Sequence, residues 1–349
     1  MLVANLSNAY VAEGHESAVI SLCHAADVGN SPKSETKIME RVETGGGTAI
    51  SLGIRNRHNI FSGMRALKKQ LELLQPDIIH VHTARALLYF VGAGPKIPII
   101  LTHHNSKLSF PPLTFKLFDR LVSSYVAISD ECKGLIKKSA TRPVIKIRNA
   151  AGTAFRTGSP RTLPQQHFEI LCVGAISEQK NYQLLIRAAP LLEKLMDESG
   201  KSVLIQVAGD GAGIDQLQKM TQKANADKIM TFLGSCDDVP DLIKTADLFV
   251  NCSKYEGLPL AILEAMSGGL PIVATDVAGN KELVDHDRNG LRVPLGKPEL
   301  LAQAIADVLQ DSDRYRAMSI ASLAKSKDYA IEASAEKHLA LYGKTVSVI

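Results

Sequence analysis

Short β-branched, apolar runs recur along this chain, each followed by a longer stretch of helical periodicity, and no other feature restricts its fold as much. In the second half the runs are FEILCVG (168–174), SVLIQVAG (202–209), IMTFLG (229–234), DLFVNC (247–252) and PIVATD (271–276). Segments such as YQLLIRAAPLLEKLMDE and DQLQKMTQKANA, with helical spacing of their apolar residues, lie between them. A strand that is apolar on both faces has to be covered on both, so the alternation predicts a parallel sheet with helices on either side. The first half repeats the scheme with SAVISLC (17–23), DIIHVH (77–82), IPIILTHH (97–104), SYVAIS (124–129) and PVIKIRN (143–149). At 349 residues the chain exceeds what one hydrophobic core usually organises. The expected fold class is α/β: two doubly wound, Rossmann-like parallel-sheet domains facing a cleft.

Between the halves, AAGTAFRTGSPRTLPQQ (150–166) is rich in Gly, Pro, Ser and Thr and has no helical periodicity. This predicts a first domain over 1–150, a linker over 151–166 and a second domain over 167–330. Helices are expected near 298–310, 313–325 and 331–343, with the terminal segment 331–349 packing back on the first domain. The chain opens on an amphipathic helix, LVANLSNAYVAEGHE, with Leu2, Leu6, Ala9 and Tyr10 on one face and Gly14 as its stop. A doubly wound domain normally begins on its central strand, so the expectation is a first domain lacking that strand.

No apolar run approaches the roughly 20 residues of a membrane span, and no basic-then-apolar leader opens the sequence. The five cysteines (Cys23, Cys132, Cys172, Cys236, Cys252) are scattered and without CxxC spacing. They read as reduced thiols of a cytoplasmic protein rather than a disulfide framework or zinc site. Net charge is +4, but residues 1–150 hold 19 Lys+Arg against 11 Asp+Glu, and the remainder 21 against 25. The basic half suits a phosphorylated or membrane-held partner at the inner face of a membrane. Trp is absent and no basic run of nucleic-acid type occurs, so nucleic acid is not an expected partner.

The stretch YEGLPLAILEAMSGG (255–269) carries two carboxylates, Glu256 and Glu264, eight positions apart. DLFVNC reads as a buried strand, SKYEG as the loop after it, and Gly257 with Pro259 as a helix start with proline in the first turn. Gly268–Gly269 ends the helix and Pro271 leads into the next strand. The helix amino terminus at 257–260 therefore sits at the carboxyl edge of a parallel sheet, where free N–H groups and the helix dipole favour a phosphate. Glu256 is expected at the lip beside that site, and Glu264 deeper, where an acid needs donors such as ribose hydroxyls.

The whole segment SKYEGLPLAILEAMSGGLPIVATDVAGNKELVDHDRNGLRVP (253–294) resembles the donor-binding signature of the family-4 retaining glycosyltransferases of the GT-B fold. VAGDG (207–211), VGAISEQKN (173–181), AISDECKGLI (127–136) and THH (102–104) are weaker marks of the same resemblance, which extends over almost the whole chain. It implies transfer of a hexose from a nucleoside-diphosphate sugar, expected to be a UDP-sugar, to a glycan or lipid-linked acceptor in surface-polysaccharide or lipopolysaccharide synthesis. The implied transfer retains anomeric configuration and needs no metal or cofactor, the nucleotide sugar being a substrate. By motif position, Glu256 matches the residue near the donor sugar, Glu264 the ribose-binding acid and Lys180 a lysine on the diphosphate. Gly257, Leu258, Pro259 and Leu260 match the backbone near the diphosphate and sugar. His104 matches a histidine close to the donor sugar, and is with Glu256 the implied catalytic pair; His82 is expected on the acceptor side.

The sequence departs from the family where Ala175 stands in place of the usual arginine, and in the missing first strand. These departures motivate a second reading, a catalytically impaired scaffold that binds nucleotide or glycan. GDGAG (209–213) between a strand and a helix suggests a third, a dinucleotide enzyme, but lacks the full glycine spacing. His80 and His82 share a strand face without a third metal ligand in reach, and of His103 and His104 only one can face the cleft. ETGGGTAIS (43–51) lacks a P-loop lysine and reads as a flexible loop. FPPLTFK (110–116) reads as a proline-bounded loop.

Overall fold

The computed structural model describes residues 1–28, 32–54, 60–91, 97–104, 112–236 and 238–347. The chain divides into two units, Met1–Ala150 with Ile331–Ile349, and Ala151–Ala330.

The second unit is one six-stranded sheet. Its strands are β7 (His167–Val173), β8 (Ser202–Ala208), β9 (Met230–Gly234), β10 (Leu248–Asn251), β11 (Ile272–Thr275) and β12 (Gly290–Val293), in the spatial order β12-β11-β10-β7-β8-β9. Every ladder is parallel. The continuous apolar runs have the burial they called for: all four residues of β10 and of β11 are buried, while edge strand β9 alternates. Ile170, Leu171, Leu248, Phe249, Ile272 and Val273 are wholly inaccessible. Each stabilises the unit by about 1.5–3 kcal/mol relative to an exposed position. The helices Tyr182–Asp197 and Pro298–Gln310 pack on each other over this sheet. Strand β12 is absent from the sequence reading. Its first residue must be glycine, because a Cβ on Gly290 would stand 1.9 Å from the Ile272 carbonyl oxygen.

The glycines of VAGDG also have a packing reason. A Cβ on Gly209 would lie 1.9 Å from the Gly174 carbonyl oxygen, and one on Gly211 2.4 Å from that of Ile176. They let the loop after β8 press against the loop after β7, a role that needs no dinucleotide.

In the first unit, β1 (Ala18–Ser21) and β2 (Thr48–Ser51) pair in parallel, and β3 (Ile79–Val81), β4 (Ile99–His103), β5 (Ser124–Ala127) and β6 (Val144–Lys146) form a second parallel sheet in that order. Among the described residues no ladder joins the two sheets, and the first element is the helix Leu2–Ala12. Strand β2 corrects the loop reading of ETGGGTAIS: the helix Pro32–Thr44 ends at the glycines and the chain turns straight into a strand. Gly46 makes that turn at φ +84°, the left-handed region glycine enters without strain. A helix, Pro112–Phe118, also replaces most of the loop read at FPPLTFK; the first residues of that segment lie outside the described ones. The terminal helix Ile331–Val346 belongs to this unit, where it packs on Leu2–Ala12 and donates a hydrogen bond from Ser334 Oγ to the Arg148 carbonyl.

Candidate active site

In the second unit the chain runs outward from β7 through β8 to β9, then returns to the other side of β7 as β10. The loops after β7 and after β10 therefore leave the same carboxyl edge on neighbouring strands, the switch point where such sheets hold ligands. Hydrogen bonds tie these loops together, among them Asn181 Nδ2 to the Cys252 carbonyl at 3.2 Å, Gln179 Nε2 to the Tyr255 carbonyl at 3.0 Å, and the Lys254 N–H to the Gln179 carbonyl at 2.8 Å. Asn181 turns the first loop into its helix at φ +53°, a conformation asparagine tolerates better than most residues. The stem of Lys180 crosses directly over Gly174, whose missing side chain makes room for it: a Cβ there would be 2.9 Å from Lys180 Cε.

This brings Lys180 to Glu256, with Nζ 2.6 Å from Oε1. Glu256, expected from the sequence at the lip beside the phosphate site, is only 6% exposed. A buried carboxylate requires charge and donors around it. Ser253 Oγ supplies a second donor to Oε1 at 2.6 Å, while among the described residues Oε2 has only a long contact of 3.5 Å from Gln179 Nε2. Ser253 is itself held by Asn251 Oδ1, which accepts from its N–H at 3.1 Å, and by Thr275 Oγ1, which donates to its carbonyl at 2.6 Å. Asn280 Nδ2 completes the network with the Thr275 carbonyl at 2.9 Å and Asn251 Oδ1 at 3.2 Å.

The helix after Glu256 spans Leu260–Ser267, with Pro259 at its N-cap rather than in its first turn. Among the described residues no side chain caps it, so its first N–H groups have no capping acceptor. Gly257, Leu258 and Pro259 are buried and Leu260 is half-buried. Glu264 is also half-buried. Burial raises its pKa to about 7, because withdrawal from water disfavours the charged form.

The first unit gathers histidines instead. His82 Nδ1 and His104 Nε2 are 3.1 Å apart in stacked rings, and the His80 ring lies 4.3 Å from that of His82. Both ring nitrogens of His80 meet hydroxyls, Tyr342 at 2.5 Å and Thr102 at 2.6 Å, and Tyr342 continues to Tyr10 at 3.1 Å. Burial drives all of them neutral: His80 and His82 fall well below their ordinary value, and His104 and His338 to about 4. His103 turns into the core while His104 is half-buried. His82, His104, Thr102, Arg148, Leu2 and Leu6 line a small pocket of about 10 Å³. Among the described residues no three His, Cys, Asp or Glu side chains are grouped to hold a metal ion.

Sequence reasoning missed Ser253, Asn251, Thr275 and Asn280. They share no spacing; they lie in or just after β10, at the end of β11 and in the helix that follows. Such strand-end positions are the only signal that could have found them. It also missed Arg161 inside the linker, whose guanidinium donates to the carbonyls of Gly268 (2.8 Å), Lys244 (2.5 Å) and Ile243 (2.7 Å), at the ends of two helices.

Residues 1–148 match the family Glycosyltransferase Family 4, and residues 159–324 match Glycosyl transferases group 1. An uncharacterized glycosyltransferase of Methanocaldococcus jannaschii is 34% identical over 279 residues, 70% of either chain. The UDP-Gal:α-D-GlcNAc-diphosphoundecaprenol α-1,3-galactosyltransferase of Escherichia coli is 32% identical over 152 residues, 43% of this chain and 38% of that enzyme. Among solved structures, HepE of Anabaena in complex with UDP and glucose superposes with a TM-score of 0.78 at 17% identity, covering 100% of this chain and 95% of that one.

Proposed function

We propose that this chain, which belongs to the family-4 glycosyltransferases of the GT-B fold, moves a hexose from a UDP-sugar to a glycan or lipid-linked acceptor of a surface polysaccharide or lipopolysaccharide, with retained anomeric configuration. The observation that carries the donor reading is the meeting of Lys180 and Glu256 at the switch point, beside an uncapped helix start.

In this reading the diphosphate lies against the backbone N–H groups of Gly257 and Leu260 and the Lys180 ammonium, and the ribose hydroxyls donate to Glu264. The donor sugar meets Glu256. When the sugar departs, negative charge grows on the diphosphate, and a fixed cation with a helix amino terminus stabilises it more in the transition state than before. The leaving phosphate takes the acceptor's proton, so neither a strong protein base nor a metal or other cofactor is called for. His104, a neutral imidazole at the edge of the histidine cluster, keeps the donor-sugar contact that the resemblance implies, and His82 the acceptor side.

A lipid-linked acceptor is supported by the name of the E. coli relative and by the charge of the first unit. The helix Ile60–Leu74 turns Phe61 (85% exposed), Arg65, Lys68, Lys69 and Leu73 (69% exposed) outward together. That combination suits an anionic membrane surface at the cytoplasmic face. Among the described residues no helix is long and apolar enough to cross a membrane.

A thermal-shift screen against nucleotide sugars tests the donor assignment, because a ligand of the folded state raises its stability by mass action. A selective shift with UDP-hexoses supports it; no shift with any nucleotide sugar contradicts it. One observation favours the scaffold reading, the exposed Ala175 that leaves no guanidinium beside Gly174. Turnover by wild type excludes it, whereas nucleotide binding with turnover only in Ala175→Arg supports it.

A further inference from the structure

We infer that Ser253 is a positioning residue for sugar transfer, fixing Glu256 so that Oε2 alone is offered to a hydroxyl of the donor sugar; this rests on the donor reading above.

The two oxygens of Glu256 are not equivalent. Oε1 accepts from Lys180 Nζ and from Ser253 Oγ, both at 2.6 Å. Among the described residues the one donor facing Oε2 is Gln179 Nε2 at 3.5 Å, beyond a good hydrogen bond. A carboxylate has room for about four donors, so the open capacity of this one lies on Oε2. A sugar hydroxyl donating there would satisfy an oxygen that is largely withdrawn from water.

Lys180 alone cannot set this orientation. An ammonium on a flexible stem follows the carboxylate wherever it turns, and the proposed site asks the same lysine to reach the diphosphate. Ser253 has no such freedom. It is wholly buried and held by Asn251, and through its carbonyl by Thr275. Its hydroxyl donates to Glu256 Oε1. The backbone of Glu256 is pinned from the other side as well: a Cβ on Gly279 would stand 2.6 Å from its carbonyl oxygen and 2.8 Å from its Cβ. Main chain and one carboxylate oxygen are thus both fixed, and the remaining oxygen is the one left to accept from a sugar hydroxyl.

Calorimetric titration with UDP and with UDP-glucose tests this on wild type, Glu256→Gln, Ser253→Ala and Ser253→Thr, with melting temperatures recorded for each. Wild type is expected to bind UDP-glucose more tightly than UDP, and Glu256→Gln to lose that difference. Ser253→Ala should bind UDP within about twofold of wild type yet lose roughly tenfold or more of the sugar-dependent gain, the size of a hydrogen bond to a charged group. Ser253→Thr, which keeps the hydroxyl, should restore it. Retention of the full gain by Ser253→Ala, where Glu256→Gln loses it, overturns the positioning role alone. Equal loss in the Ala and Thr variants together with a collapse in melting temperature also overturns it, as a merely structural effect. No sugar-dependent gain in wild type, or full gain in Glu256→Gln, overturns the donor reading and the inference with it.

Discussion

Lys180 Nζ lies 2.6 Å from Glu256 Oε1 although the two residues are 76 positions apart, because each ends a loop on adjacent parallel strands. The pair is unequal: the glutamate side chain is 7% exposed and the lysine 19%.

That inequality sets the effect of breaking the pair. Lys180→Met leaves a buried carboxylate without its cation and should cost about 3 kcal/mol of stability. Glu256→Gln leaves an ammonium that can reach water and should cost about 1 kcal/mol. Chemical denaturation of the two variants checks the order. UDP affinity should fall at least tenfold in Lys180→Met and remain near wild type in Glu256→Gln.

Glu264 titrates near neutrality, with a pKa of about 7. Ribose hydroxyls donating to it favour its charged form, so the complex has a lower pKa than the free protein and binding releases a proton. Nucleotide affinity should therefore decline as pH falls below about 7, by up to tenfold per unit. Glu264→Gln should weaken UDP binding and flatten that dependence. An unchanged pH slope in the variant would exclude the ribose role.

The buried histidines make the first unit acid-sensitive. His104 and His338 have folded values of about 4 against an ordinary 6.5, and His80 and His82 are lowered as well. A lowered folded value means that the unfolded chain binds more protons in the interval. Stability is then intact above about 6.5 and is lost as pH falls toward 4. Denaturation curves across that range should show a steady decline for the first unit, less steep in His338→Asn.

Arg161 holds two helix ends to the strand-connecting segment through three carbonyls. Arg161→Ala should destabilise the second unit by about 1–3 kcal/mol. Arg161→Lys should not rescue it, since a point ammonium cannot reproduce a planar fork of donors. The melting temperatures of both variants, read by calorimetry, decide this.

The outward face of Ile60–Leu74 should bind vesicles containing phosphatidylglycerol more strongly than vesicles of phosphatidylcholine alone. Lys68→Glu with Lys69→Glu should weaken sedimentation with the anionic vesicles by roughly tenfold or more, each basic residue contributing about 1 kcal/mol near the surface. Phe61→Ser should weaken it further. Equal binding by all variants would remove the membrane contact from the account.

Much of this site could be read in the sequence because local chemistry encodes it. Gly257 and Pro259 announce a helix start, Gly268 and Gly269 its end, and the flanking strands are continuous apolar runs. What could not be read depends on contacts between distant segments. Glu256 appears exposed beside a polar loop until Lys180 arrives from another strand. Ser253 looks like an ordinary loop residue until β10 and β11 bring Thr275 to its carbonyl. The polar NGLRV stretch conceals strand β12, and a glycine-rich stretch conceals the beginning of β2. Arg161 lies in a segment without periodicity, yet four hydrogen bonds order it, three from its guanidinium and one from its N–H to Ser319 Oγ.

The central claim is that a nucleoside diphosphate rests on the switch point of the second unit. A crystal structure with UDP tests it directly. The expected result places a phosphate oxygen within about 3 Å of Lys180 Nζ and of an N–H at the start of Leu260–Ser267, with the ribose hydroxyls on Glu264. UDP bound elsewhere, with the Lys180–Glu256 loops untouched, would contradict it.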